Sequence, residues 1–267
     1  MRILFLGDLV GSIGISAASD FLPFIKKDKG IDFVIVNGEN ASSGKGLLFE
    51  DYRSIAMFAD AITLGNHYHA KGKIDAFITS AALLVRPVNL KNYTKGLGSR
   101  VFRCKGVPIR VTNILGEAFM KEEVTKPIPT FESFLEKVDE PIHIVDYHGE
   151  STSEKQIFAY SFDGAITAVI GTHTHVPTLD ARILPKGSAY QSDAGYCGAY
   201  DSIIGFDVDS TIDRMVYNLG RLAVPNSGRR VVYGTIVDVD ENDMKVKSIE
   251  AICYLDGKEL PHGPRYL

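Results

Sequence analysis

The sequence is poor in the features that mark several whole classes of protein. Cysteine is scarce. Cys104, Cys197 and Cys253 are widely spaced and form no CxxC pair, so neither a disulfide framework nor a zinc ribbon is expected. No apolar run is long enough to span a bilayer; the longest meet Gly, Asp or Asn within a few residues. The first run ends at Gly7-Asp8 with no small-residue cleavage site after it. It therefore reads as a first strand in a cytoplasmic protein rather than as a signal peptide. A basic block is missing too. Lys and Arg number 29 against 33 Asp and Glu, a net charge of −4, which disfavours a surface that wraps duplex nucleic acid but leaves room for a local pocket for one phosphate. Internal repeats, low-complexity tracts and Pro/Gly/Ser linkers are also absent, so a single domain over residues 1–267 is expected.

What is present is an ordinary folding composition, 45% apolar and 23% charged, which excludes a disordered chain. Five short β-branched runs stand out: Ile3–Leu6, Phe33–Val36, Ala61–Leu64, Ile142–Tyr147 and Ile166–Ile170. Each is too short for a helix and lacks polar alternation, as suits a strand covered on both faces. Helix-like patterns lie between them, one starting at Thr130, and Ser151-Thr-Ser-Glu154 fits a capping box. Near the end, Val231–Val239 and Met244–Tyr254 flank the polar turn Asp240–Asp243 and read as a hairpin. The order predicts a mixed α/β layered fold rather than a barrel.

The seven histidines are distributed unevenly, six of them in the close groups His67/His69, His143/His148 and His173/His175. The chemistry lies in the residues just after each strand. The five runs lead into Gly7-Asp8, Asn37-Gly38-Glu39-Asn40, Gly65-Asn66-His67, His148-Gly149-Glu150 and Gly171-Thr172-His173-Thr174-His175. Metal-capable side chains thus come after all five strands, at the edge where open α/β sheets bind ligands. Singly, each has a plain structural use: Asp8 as a cap, Asn37–Asn40 as a turn, His148 as a core histidine. Together, five recurrences at one edge point to a site. His173 and His175 are alternate residues of an extended segment, so both imidazoles can reach one centre. Gly7, Gly11 and Gly14 are spaced GxxxGxxG, with no Walker Lys-Ser/Thr nearby, which argues against a nucleotide-binding loop.

These motifs resemble the metal motifs of the calcineurin-like metallophosphoesterases: Gly-Asp near the N-terminus, Gly-Asn-His after a middle strand, a lone His, and Gly-x-His-x-His. That superfamily usually carries Asp-x-His in the first motif, where this chain has Asp8-Leu9-Val10, and an Asp in the second, where it has Gly38-Glu39-Asn40. Both departures occur together in the YmdB-like branch. The chain is similar to that branch throughout, through Asp8–Gly11, Thr63–His67, Thr152–Lys155, His173–Thr178 and Asp201–Gly205. Where such relatives carry a bulky aromatic and an acid after Gly-Asn-His, this chain has Tyr68-His69-Ala70-Lys71.

The resemblance implies a four-layer α/β/β/α sandwich, a two-metal site with iron or manganese (zinc being a further candidate), and phosphodiesterase activity on 2′,3′- or 3′,5′-cyclic nucleotides. It implies that Asp8, Glu39, Asn40 and His175 hold one metal and that Glu39, Asn66, His148 and His173 hold the other, with Glu39 bridging and His67 as general acid. It also implies a symmetric homo-oligomer. The chemistry is coherent. Two metals about 3.5–4 Å apart can share a hydroxide that attacks phosphorus and can hold the phosphoryl oxygens. With only Asp8 and Glu39 as anionic ligands, the site keeps a net positive charge that attracts a phosphodiester. An imidazole beside the ligands can protonate the leaving oxygen. A small phosphodiester is the expected substrate, because no Lys/Arg track suggests an oligonucleotide. The alternative from another class is a regulatory or RNA-associated metal-binding protein. Substrate-contacting residues stay unassigned, with Arg86, Lys45 and His69 to be inspected. Thr174 and Thr178 read as turn hydroxyls, Cys197 as a packing thiol, His143 as structural and His262 as a surface residue. Glu150 reads either as a partner of a ligand imidazole or as a helix N-terminal acid.

Overall fold

A computed structural model describes residues 1–260. Its elements are numbered along the chain. One sheet contains β1 (Arg2–Leu9), β2 (Phe33–Asn37), β3 (Ala61–Thr63), β4 (Leu84–Val85), β11 (Tyr196–Ala199), β12 (Arg230–Val239), β13 (Val246–Leu255) and β14 (Lys258–Glu259). They lie in the order β14-β13-β12-β11-β1-β2-β3-β4, with β12 also pairing β1. The second sheet contains β5 (Ser99–Cys104), β6 (Val107–Leu115), β7 (Ile142–His148), β8 (Ala168–Thr172), β9 (Arg182–Ile183) and β10 (Ala189–Gln191), in the order β5-β6-β7-β8-β10-β9. The site-bearing strands run parallel to their neighbours: β1 with β2, β2 with β3, and β7 with β8.

Burial along β1 shows why its run lacks polar alternation. Ile3 and Phe5 pack between the two sheets with Phe33, Ile35, Ile144 and Ile170. Leu4 and Leu6 point the other way, into a core shared with the first helix, α1 (Gly11–Lys29), and with Ile55 of α2 (Phe49–Ile55). Alternate side chains thus enter two different cores, and both need to be apolar. A third core joins the outer face of the second sheet, through Val145, Tyr147 and Val169, to Phe131 of α3 (Pro127–Leu135) and Phe158 of α4 (Thr152–Ser161). The result is the expected four-layer α/β/β/α sandwich. Among the described residues no helix is long and apolar enough to cross a membrane.

Several local expectations need correction. Strand β8 starts at Ala168 rather than Ile166, because Ile166 pairs back with Asp163 in an isolated bridge outside the ladder. Helix α3 starts at Pro127, before Thr130; a proline suits the first turn, where its missing N–H has no helical partner anyway. Ser151 caps α4 as expected, its Oγ accepting from the Glu154 amide at 3.3 Å. The reciprocal half of the box is absent, since Glu154 accepts from the Glu117 and Ala118 amides instead. The closing hairpin is β12–β13, with Val231 opposite Leu255. The position of His262 lies outside the described residues.

Candidate metal centre

All five motifs meet at the carboxyl edges of the two sheets. The first sheet brings Asp8 at the end of β1, Glu39 and Asn40 after β2, and Asn66 and His67 after β3. The second brings His148 at the end of β7, and His173 and His175 after β8. Asn37 joins the two edges: its Nδ2 donates to Leu64 O at 3.1 Å and to Asp146 Oδ2 on β7 at 3.0 Å. Its Oδ1 accepts from the Glu39 amide at 3.0 Å and so turns Glu39 inward.

One group is formed by Glu39, His148 and His173, whose donor atoms all lie within 4.8 Å of one another. His148 Nε2 is 3.0 Å from Asn66 Oδ1, 3.1 Å from His173 Nδ1 and 3.2 Å from Glu39 Oε1. Gly65 lies directly against this cluster; a Cβ there would run into Glu39 Oε2 and His148 Nε2. The second group surrounds Asn40 Nδ2, which is 3.4 Å from Asp8 Oδ1, 3.2 Å from Glu39 Oε1 and 3.0 Å from His175 Nε2. The same Glu39 oxygen therefore faces both groups, while Glu39 Oε2 accepts from the His67 amide at 2.8 Å.

The outward nitrogens decide what the three histidines present to the centre. Thr172 Oγ1 donates its one proton to Asp146 Oδ1 at 2.6 Å, so it can only accept from His148 Nδ1, 2.8 Å away. His173 Nε2 meets the Glu150 carboxylate at 3.1 Å, and His175 Nδ1 donates to Ile204 O at 2.7 Å. With those nitrogens carrying protons, His148 Nε2, His173 Nδ1 and His175 Nε2 are the ring nitrogens left to bind an ion. Outer partners that fix the tautomer in this way are the common setting of metal-binding imidazoles. Imidazole nitrogens and carboxylate oxygens crowded around one amide donor, Asn40 Nδ2, form a set rich in acceptors that a cation satisfies, so the residues fit divalent metal binding.

The ionisation of the metal-free site fits the same picture. Burial acts to lower the His148 imidazole, but Glu39, Asp8 and Asp146 outweigh it and hold the pKa raised to about 9. Burial acts to raise Glu39, but His148 and His67 beside it hold it well below the carboxylate range. Burial, aided by the His148 charge, pushes His173 down to about 3. A proton on His148 thus occupies the middle of a cluster built from acceptors. His173 and His175 both have positive φ, 101° and 62°, a conformation that non-glycine residues hold only where the surroundings impose it.

The other expected residues occupy varied positions around this centre. Asn40 turns its oxygen away from the other ligands: Oδ1 meets His67 Nδ1 at 2.7 Å, and a half-turn of the amide would exchange its two ends. His67 is partly exposed. Its Nδ1 faces Asn40 and Glu39, and its Nε2 has no hydrogen-bond partner among the described residues. Glu150 is the partner of a histidine, the first of its two expected roles. Thr174 and Thr178 use their hydroxyls in the turn and against Asp193. Cys197 is a buried thiol, pushed up by burial. His143 is buried against Thr112 and pushed down to about 3 by burial. Arg86 gives its guanidinium to Lys95 O and Pro87 O, Lys45 is exposed, and His69 faces Asp75 at 3.2 Å. Sequence reasoning missed Asp146, Lys155 and Asp193. The available signal was a carboxylate, Asp146, inside the strand-like run Ile142–Tyr147.

Comparison with known proteins identifies the family. A family model described as YmdB-like protein matches residues 4–252. A 2′,3′-cyclic-nucleotide 2′-phosphodiesterase of Bacillus subtilis (strain 168) is 40% identical, over 96% of this chain and 98% of its own. The crystal structure of a phosphatase of Mycoplasma pneumoniae superposes with a TM-score of 0.89 at 36% identity, covering 96% of this chain and 93% of that one. A Thermus thermophilus protein of solved structure gives a TM-score of 0.87 at 35% identity, covering 98% and 100%. The chain belongs to the YmdB-like protein family.

Proposed function

We propose that this chain is a metal-dependent phosphodiesterase that hydrolyses 2′,3′-cyclic nucleotides at a two-metal centre. The observation that carries the reading is the convergence of the inward ring nitrogens of His148, His173 and His175 on Glu39, Asp8 and Asn66, with each outward nitrogen occupied. In this reading Glu39, Asn66, His148 and His173 hold one ion, and Asp8, Glu39, Asn40 and His175 hold the other, with Asn40 turning its amide to offer Oδ1. Glu39, whose Oε1 faces both groups, would serve both ions. Ions bound there supply positive charge to the phosphoryl oxygens and acidify water. The activity of the 40%-identical Bacillus relative supports the cyclic 2′,3′ substrate over a 3′,5′ one.

The protein's own part in the reaction falls to His67. Hydrolysis adds water across one P–O bond, and the departing ribose oxygen needs a proton. His67 Nδ1 meets the Asn40 side-chain amide, which leaves Nε2–H to face that oxygen. Asn40 thus fixes the ring, and the contact of the His67 amide with Glu39 Oε2 fixes the backbone beneath it. The test is hydrolysis of a phosphodiester panel after reconstitution with iron, manganese or zinc, beside His67→Gln. Turnover of 2′,3′-cyclic nucleotides by the native protein and its loss in the variant is the expected result. Activity on no member of the panel with any metal would favour a regulatory role instead.

A further inference from the structure

Beneath the turn that carries His173 and His175 lies a buried ion pair outside the proposed ligand set. Lys155 of α4 has a fully buried side chain, and Asp193 is 1% exposed. Lys155 Nζ donates to Asp193 Oδ2 at 3.0 Å and to Thr172 O at 2.8 Å. Asp193 Oδ2 also accepts from the Thr174 amide at 3.0 Å, between the two histidines. Its Oδ1 accepts from the Gly195 amide at 2.9 Å, and the Gly195 carbonyl accepts from the Asp8 amide at 3.1 Å. One carboxylate therefore connects the histidine turn on the second sheet to the Asp8 strand end on the first.

A stability role explains this pair poorly. Taking two charges out of water costs about as much as their attraction returns, and an apolar pair of similar volume is often as stable. The pair does supply several fixed hydrogen bonds to a segment that needs them. His173 and His175, with φ of 101° and 62°, stay in place only when their neighbours hold them. The Lys155 stem also runs beside Gly171, where a Cβ would collide first with the Ser192 carbonyl and then with Lys155 Cδ at 2.9 Å.

We propose that Lys155 and Asp193 are positioning residues that hold His173 and His175 in register with Asp8 for metal binding. The inference rests on the metal-centre reading above and extends it to residues that touch no ion. The test is calorimetric titration of the full-length, chelator-stripped protein with Mn²⁺, in parallel with melting of the same metal-free samples. The double variant Lys155→Met/Asp193→Leu leaves no unpaired buried charge but removes the acceptor of the Thr174 and Gly195 amides, so it is expected to fold and to melt several degrees below the native protein. Its Mn²⁺ affinity is expected to fall about 10–100-fold, the range typical when an outer partner of a ligand is lost. A folded double variant with native affinity would overturn the inference and leave the metal reading standing. A native protein that takes up no Mn²⁺ would overturn both. Should the double variant fail to fold, Asp193→Asn keeps the shape but can accept from only one of the Thr174 and Gly195 amides. About tenfold weaker binding with a native circular dichroism spectrum supports the inference, and unchanged affinity overturns it.

Discussion

Replacing Gly65 by alanine drives a methyl group into the donor cluster. Gly65 does not have the positive φ that would itself exclude alanine, so any effect comes from space rather than backbone strain. The new Cβ meets Glu39 Oε2 and His148 Nε2 well inside contact distance, and each must withdraw by about 1 Å. Overpacking of this kind costs about 1–3 kcal/mol of stability, a few degrees of melting temperature in a chain of this size. Its effect on function is larger, because the displaced atoms belong to Glu39, the proposed shared ligand, and to His148, another proposed ligand. A misplacement of about 1 Å in a catalytic array costs on the order of 10²-fold in rate. The assay pairs melting of the chelated protein with Mn²⁺ titration and hydrolysis of a 2′,3′-cyclic nucleotide. The expected signature is a small loss in melting temperature beside a loss of about 10²-fold in kcat/KM and weaker Mn²⁺ binding. Native affinity and native turnover in a folded Gly65→Ala protein would refute the reasoning, since the ligands would then not be where the geometry puts them.

Three further outcomes are expected from the same geometry. His67→Gln keeps the metal content, as measured by elemental analysis, but lowers kcat by about 10²–10⁴-fold, the range for loss of a general acid; native kcat would remove His67 from that role. Glu39→Gln loses both ions, because its Oε1 faces both groups, and a variant that retains a full complement would contradict that shared role. In the metal-free protein His148 is protonated at neutral pH, with its pKa raised to about 9, and an ion must displace that proton. Mn²⁺ affinity should therefore rise about tenfold per pH unit toward pH 9 and level off above it, and a flat profile between pH 7 and 9 would contradict the displacement.

The parts legible in the sequence were those carried by periodicity and by strand ends. Ile3–Leu6 and Phe33–Val36 were readable as doubly covered strands because each side of β1 and β2 enters its own apolar core. The eight site residues were readable because the parallel strands place their carboxyl ends together, so residues far apart in the chain occur at equivalent local positions. Strand β6 escaped notice because Arg110, Thr112 and Asn113 interrupt its run, and their partners (Glu140, His143 and, for Asn113 Nδ2, Asp146 O) come together only in the folded sheet. The supporting network was hidden for the same reason. Asp146, Lys155 and Asp193 are buried charged groups whose roles depend on neighbours 17 to 109 positions away. Nothing local in Thr152–Lys155 says that the lysine turns inward. The orientation of Asn40, and the choice of ring nitrogen at each histidine, likewise depend on three-dimensional hydrogen bonding.

The central claim is a two-metal centre on which phosphodiester hydrolysis depends. Its most direct test is elemental analysis and 2′,3′-cyclic-nucleotide turnover on one preparation, before chelation, after it, and after Mn²⁺ is restored. The account predicts about two equivalents of metal per chain, loss of turnover on chelation and recovery on restoration. Full turnover in the stripped protein, or full turnover restored by about one equivalent, would contradict it.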